Sequence, residues 1–306
     1  TLSLSEENDF VLLEGDEYLS SAIDPQPKFL WYTPEIALIS GIAWDHVNVF
    51  PTFEHYVSQF ELFINSIQAG GVLIYNQEDE VLKKLVDTSP HPIKKIGYSI
   101  PDHFVEKGIS YLETEEGSLP LLVFGSHNLQ NLAGAQWIAQ LMGIDCSDFY
   151  EAMPSFSGAS KRLELLKKGE NSFLFKDFAH APSKVKATSL AVKQQFAGKK
   201  IIICLELHTY SSLDPEFINQ YAKSLDAADE ALIFYDPEAL RIKNRVAIPP
   251  EVIEQAFEHS SLRVFTQKFQ LQKDLFERHF NNEILVMMSS GNFGGMDWKM
   301  LVDRFF

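Results

Sequence analysis

Ser172-Phe173-Leu174-Phe175-Lys176-Asp177-Phe178-Ala179-His180-Ala181-Pro182 decides how this chain is read. Ser172 to Phe175 is an apolar run of strand length, and Pro182 stands where the first turn of a helix accepts proline. Ser183 to Phe196 then carries helical periodicity. Strand, short polar connection and helix make the repeating unit of a helix-covered parallel sheet. The residues in the connection lie at the carboxyl end of a strand, the edge where open α/β sheets bind their ligands.

The same alternation continues on both sides. Downstream, Ile201–Leu205, Ala231–Phe234, Leu262–Phe265 and Ile284–Met288 read as strands, with helices over Pro215–Leu225, Pro250–Glu258, Gln267–Phe280 and Met296–Phe305. Upstream, Phe10–Leu13, Ile36–Ile39, Val72–Tyr75 and Ile93–Tyr98 read as strands, and Phe53–Ile67, Glu80–Val86 and Asn128–Met142 as helices. Ile109–Leu112 and Leu119–Phe124 suggest an antiparallel hairpin about a Glu-Gly turn. Pro154-Ser155-Phe156-Ser157-Gly158 is the best linker, so the expectation is an α/β chain of two domains, 1–153 and 154–306. An opening that runs at once into a strand pattern suggests a first domain lacking its N-terminal part.

The net charge of -16 argues against nucleic acid or an anionic membrane as partner, because binding phosphates over a long surface needs a basic field. Two cysteines, Cys146 and Cys204, suit a reducing cytoplasm. The longest apolar runs fall far short of the roughly 20 residues that span a bilayer, so no membrane insertion is expected.

Four clusters carry chemistry. Glu14-Gly15-Asp16-Glu17 follows an apolar run and can present a carboxylate to Mg²⁺, or form a solvated acidic turn. Asp45-His46 follows a second apolar run, where His46 can meet a metal ion or a phosphate, or the pair can cap a helix. His127-Asn128 and Asn131 open a helix with two carboxamides on one face, a fork suited to adenine and equally to plain capping. Arg162 can neutralise a transferring phosphoryl group or pair on the surface; Asp177 can take ribose hydroxyls, and His180 a phosphate or carboxylate.

Taken in order, Glu-x-Asp-Glu, Asp-His, Gly-x-His-Asn-x-x-Asn, Arg-Leu-Glu and Asp-Phe-Ala-His-x-Pro resemble the Mur ligase family across essentially the whole chain. The resemblance implies a truncated central ATPase domain followed by a Rossmann-like C-terminal domain. It implies ATP and Mg²⁺ as cofactors, Glu14 and His46 as metal positions, and His127, Asn128 and Asn131 at the nucleotide. Arg162 would contact phosphate and Asp177 ribose, with Arg162 and His46 in the catalytic set. Some members carry a carbamylated lysine near the second metal; this sequence offers no counterpart, though Glu61, on the helix after His46, can supply a carboxylate directly.

Within the family, Lys28-Phe29, Tyr32 and the ending Met288-Ser289-Ser290-Gly291-Asn292-Phe293-Gly294-Gly295 resemble the member that joins L-alanyl-γ-D-glutamyl-diaminopimelate tripeptide to UDP-N-acetylmuramic acid. His180, His208 and Asn292 would then face substrate. The alternative is the alanine-adding member, whose Pro-His-Arg-Tyr-Ser-Arg pattern is half kept as Leu207-His208-Thr209-Tyr210-Ser211-Ser212. No Gly-x4-Gly-Lys-Ser/Thr loop occurs, so the chain by itself is expected to be inactive; a non-catalytic nucleotide- or peptide-binding module is the rival from another class.

Overall fold

The computed structural model describes residues 5, 7–159, 162–242 and 248–305. Two compact units emerge, Thr1–Pro101 with Gln130–Met153, and Asp102–Leu129 with Pro154–Phe306. The sequence reading assigned Asp102–Leu129 to the first domain, whereas here the segment groups with the second unit. The reason is local. Ser110 Oγ donates to Gln195 Oε1 at 2.9 Å, Gln195 Nε2 donates to the Gly108 carbonyl at 2.7 Å, and Phe124 packs edge-on to Phe175 and Phe196.

In the first unit, β1 (Leu19–Ser21) and β2 (Asp24–Pro27) form a short antiparallel ribbon. β3 (Ile36–Ile39), α1 (Phe53–Ser66), β4 (Val72–Asn76), α2 (Glu80–Thr88) and β5 (Lys94–Tyr98) then alternate, and the three strands pair in parallel in the order β3-β4-β5. Both helices start on side-chain caps: Thr52 Oγ1 accepts the His55 N–H and Asp79 Oδ1 accepts the Leu82 N–H. The buried face of α1 presents Tyr56, Phe60, Phe63 and Ile64 to a core with Phe29, Ile39 and Leu73.

β6 (His103–Glu106), β7 (Ile109–Thr114) and β8 (Gly117–Leu121) form an antiparallel sheet, followed by α3 (Ser126–Leu141) and α4 (Cys146–Ala152). The second unit continues with β9 (Glu164–Lys168), β10 (Phe173–Asp177), α5 (Pro182–Gln195), β11 (Lys200–Glu206) and β12 (Glu230–Phe234). After these come α6 (Pro237–Ile242), α7 (Pro250–Phe257), β13 (Leu262–Phe265), α8 (Lys268–Phe276), β14 (Glu283–Met288) and α9 (Trp298–Arg304). Six strands form one sheet in the order β13-β12-β11-β14-β10-β9, parallel except for β9. β11 and β14 lie at its centre and are buried on both faces, which is why they read as unbroken apolar runs. No described helix is long and apolar enough to cross a membrane.

Two expected elements differ. Phe10–Leu13 is not a strand: it pairs with none of the described strands, and its side chains are exposed, Leu12 at 73%. Apolar run length signals burial, but a strand also needs a ladder partner. Over Pro215–Leu225 only a 3₁₀ turn forms, at Ile218–Tyr221. Asp214 bends the entry by accepting the Glu216 N–H, and Lys223 sits at φ +59°, outside the helical region.

A charge network ties the β12 side of the sheet together. Glu230 accepts from Arg278 at 2.5 Å and Arg263 at 2.8 Å, and Asp274 accepts from the same two guanidinium groups. The Arg278 hydrogen bonds outweigh the cost of burial and hold the Glu230 carboxyl at about 2, well below its ordinary 4.5. A depressed carboxyl stabilises the fold above its unfolded pKa and loses that contribution as pH falls through the folded value. Glu230→Gln should therefore cost on the order of 3 kcal/mol at neutral pH, and the deficit should shrink as pH drops from 4.5 toward 2. Denaturant titrations of both proteins across that range check it; a deficit independent of pH would contradict it.

Candidate functional site

In the second unit, the carboxyl ends of three neighbouring strands, β10, β14 and β11, carry Asp177, Ser289 and Glu206. The Ser289 N–H donates to the Asp177 carbonyl at 2.9 Å, so the β14 exit is tied to the end of β10. Glu206 is buried, at 3% exposure. Its Oε2 accepts the Ser289 hydroxyl and, at 2.8 Å, the Phe293 N–H. Its Oε1 faces His208 Nδ1 at 4.0 Å.

The loop after β14 is shaped around that carboxylate. Phe293 is fully buried with φ +53°, a left-handed conformation that a non-glycine residue keeps only when its surroundings fix it. A side chain at Gly291 would begin 2.8 Å from both Glu206 Oε2 and His208 Cγ, so the backbone can pass over the pair only because residue 291 has none. Asn292 is exposed, and its Oδ1 accepts the Gly295 N–H at 3.0 Å.

A second cluster surrounds the end of β10. Asp177 is buried; its Oδ2 accepts the Leu163 N–H at 2.7 Å, and its Oδ1 accepts the Ala179 N–H at 2.7 Å and the Thr188 hydroxyl at 3.3 Å. Leu163 is held at φ +44°, and next to it the Arg162 guanidinium lies 5.4 Å from the Phe178 ring centre. His127 belongs to this cluster: burial lowers its pKa, with Asp177 opposing and Arg162 reinforcing the shift. The His127 Nδ1 is buried without a hydrogen-bond partner. His180 Nδ1 lies 2.8 Å from the Phe178 carbonyl, and the His180 carbonyl accepts the Tyr221 hydroxyl.

The asparagines of α3 differ in use. The Asn128 amide donates to the Phe124 carbonyl at 2.8 Å, so half its fork serves its own helix start, whereas Asn131 is exposed one turn further on.

In the first unit, the loop leaving β3 is held by its neighbours. Asn76 Nδ2 donates to the Ser40 carbonyl, and Asp79 Oδ2 accepts the Ile42 N–H at 2.6 Å. This delivers His46 at φ +56°, its N–H on Asp45 Oδ1 at 2.7 Å and its ring edge-on to Tyr18. The carboxylate facing His46 is that of Glu17, with Oε1 3.6 Å from His46 Nε2 and 3.2 Å from the Tyr56 hydroxyl. Burial works against its charge, yet the facing His46 imidazole, its own backbone N–H and the Tyr56 hydroxyl hold the carboxyl down at about 2. Glu14 and Glu61 are exposed, and Asp16 is spent on the Tyr18 N–H and Lys28. No three metal-ligating side chains gather among the described residues. An ionised carboxylate with oxygen to spare still suits Mg²⁺, which uses one or two carboxylates and completes its shell with water and substrate phosphate.

The sequence reading thus named most of these positions but missed two carboxylates. Glu17 was quoted only as part of an acidic turn, and Glu206 was passed over as the end of an apolar strand. An acidic residue closing a run as apolar as Ile201–Leu205 is the signal that finds the second. Asp177→Ala removes the acceptor of three donors around the β10 end and should cost roughly 3–5 kcal/mol, with Asp177→Asn milder because it keeps one acceptor oxygen. Denaturation midpoints check this, and an alanine variant as stable as wild type would mean the carboxylate is no anchor.

Residues 4–139 match the Mur ligase middle domain. A UDP-N-acetylmuramate–L-alanine ligase of Agathobacter rectalis is 25% identical over 293 residues, covering 91% of this chain and 63% of that protein. The murein peptide ligase of Psychrobacter arcticus superposes with a TM-score of 0.65 at 19% identity, covering 99% of this chain and 65% of its own. MurF ligase of Thermotoga maritima, solved in complex with ADP, gives 0.65 at 15% identity over 89% of this chain and 61% of its own. The chain thus spans under two thirds of the length of each. Residues 4–139 resemble the Mur ligase middle domain, and the chain has the fold of these solved Mur ligases.

Proposed function

We propose that the protein bearing this chain is an ATP-dependent ligase that joins L-alanyl-γ-D-glutamyl-diaminopimelate tripeptide to UDP-N-acetylmuramic acid through an acyl phosphate. A carboxylate is a poor electrophile because its charge repels a nucleophile and it lacks a leaving group. Phosphorylation by ATP removes both obstacles. The observation that carries the reading is the row of Asp177, Ser289 and Glu206 at the carboxyl edge of the second sheet, in a chain with the Mur ligase fold.

In this reading Glu17, with Glu14 on the same segment, would hold Mg²⁺, and His46 would meet the metal or a phosphate. Mg²⁺, when bound, supplies positive charge against phosphate oxygens. Arg162, exposed beside Phe178, would offer a guanidinium to a transferring phosphoryl group. Asn128 and Asn131 would contact adenine, with His127 nearby at the nucleotide, and Asp177 would use its remaining lone pair on ribose. His180, His208 and Asn292 would serve the substrate side.

The tripeptide is preferred over L-alanine as acceptor because the β14 loop is glycine-rich and the segment Leu207–Ser212 has no arginine for a small amino acid's carboxylate. The Agathobacter relative favours the L-alanine reading. Steady-state assays of the intact protein with ATP, Mg²⁺ and UDP-N-acetylmuramic acid, varying the acceptor, separate them. The tripeptide should have the higher kcat/KM, and a higher value for L-alanine would reverse the assignment. For the metal, Glu17→Gln should weaken Mn²⁺ binding, followed by water relaxation, more than Glu14→Gln does; the opposite order would return the ligand role to Glu14.

A further inference from the structure

We propose that His208, oriented by the buried carboxylate of Glu206, takes the proton that the acceptor's ammonium must lose before its nitrogen can attack; the inference rests on the ligase reading above. An α-amino group is mostly protonated at neutral pH, and an ammonium has no lone pair with which to attack. Amide formation therefore requires that proton to be taken up, and a base beside the acceptor speeds this step. His208 lies two residues beyond the end of β11, at the carboxyl edge of the sheet, with 42% of its side chain exposed. An accessible imidazole thus stands in front of a buried carboxylate.

The two oxygens of Glu206 are used differently. Oε2 is spent on the Ser289 hydroxyl and the Phe293 N–H, which fixes the plane of the carboxylate. Oε1 is left toward His208 Nδ1 at 4.0 Å. That is longer than a hydrogen bond, and contacts of this kind tighten when reactants bind. With Nδ1 turned to the carboxylate, Nε2 is the nitrogen that accepts a proton. Gly291 closes the backbone over both side chains and leaves no space for a side chain between them.

The step balances as follows. One ammonium proton moves to His208 Nε2, and the freed lone pair forms the C–N bond at the acyl carbon. The bond from that carbon to the phosphate oxygen breaks with its electron pair going to phosphate. The second nitrogen proton leaves with the phosphate, and His208 returns its proton to solvent.

The test uses the intact protein with ATP, Mg²⁺ and UDP-N-acetylmuramic acid, and compares the tripeptide and L-alanine with hydroxylamine, an amine already neutral at neutral pH. His208→Gln should lower kcat for amide formation by about 100-fold or more while hydroxamate formation stays within about threefold of wild type. Glu206→Gln, acting through His208, should lower the first by about tenfold and spare the second. Retained hydroxamate formation shows in the same tubes that each variant is folded and forms the activated intermediate. If His208→Gln lowers both products equally, or neither, the base assignment is overturned. Wild-type protein making neither product with any acceptor would overturn the ligase reading, and this assignment with it.

Discussion

Glu206 is the constraint on which the second unit's site depends. Burying a carboxylate is costly unless its lone pairs are met by donors, and here the donors come from the segment that has to be placed. The Ser289 hydroxyl and Phe293 N–H satisfy Oε2, so the loop after β14 folds against the end of β11. Because β11 and β14 are adjacent and parallel, the interaction is short-range across one strand spacing. It accounts for the left-handed Phe293 and for the need for glycine at 291. The adjacent β10 end is organised by the same logic, with Asp177 satisfying Leu163, Ala179 and Thr188 and so fixing the chain beside Arg162.

The first unit uses a carboxylate in a related way. Glu17 stays ionised despite partial burial because the Tyr56 hydroxyl donates to it and the His46 imidazole faces it. Asp79 and Asn76, at the end of β4 and the start of α2, hold the loop that delivers His46. In both units structural carboxylates and amides shape the loops at strand ends, and the groups able to meet a ligand are carried on those loops.

Much of this was legible in the sequence. β3, β5 and β13 match their apolar runs to within a residue, and so do β4, β11, β12 and β14, whose mostly buried residues on both faces leave an unmistakable composition. Residues with fixed local chemistry were equally visible: Pro182 at a helix start and Asp177 at a strand end. What was not legible depended on partners distant in sequence. Phe10–Leu13 has strand composition but no described ladder partner, and Pro215–Leu225 has apolar periodicity but is turned by Asp214 and Lys223. The choice of Glu17 over Glu14 toward His46, and the burial of Glu206, follow from side-chain direction, which spacing alone does not encode.

The central claim is that a carboxylate is activated by phosphorylation and then captured by an amine. The most direct measurement places heavy oxygen in the lactyl carboxylate of UDP-N-acetylmuramic acid and follows the released phosphate by phosphorus NMR or mass spectrometry. An acyl phosphate requires one carboxylate oxygen to leave with the phosphate, so the account predicts one heavy oxygen in each phosphate formed during amide synthesis. Amide formation accompanied by unlabelled phosphate would contradict it.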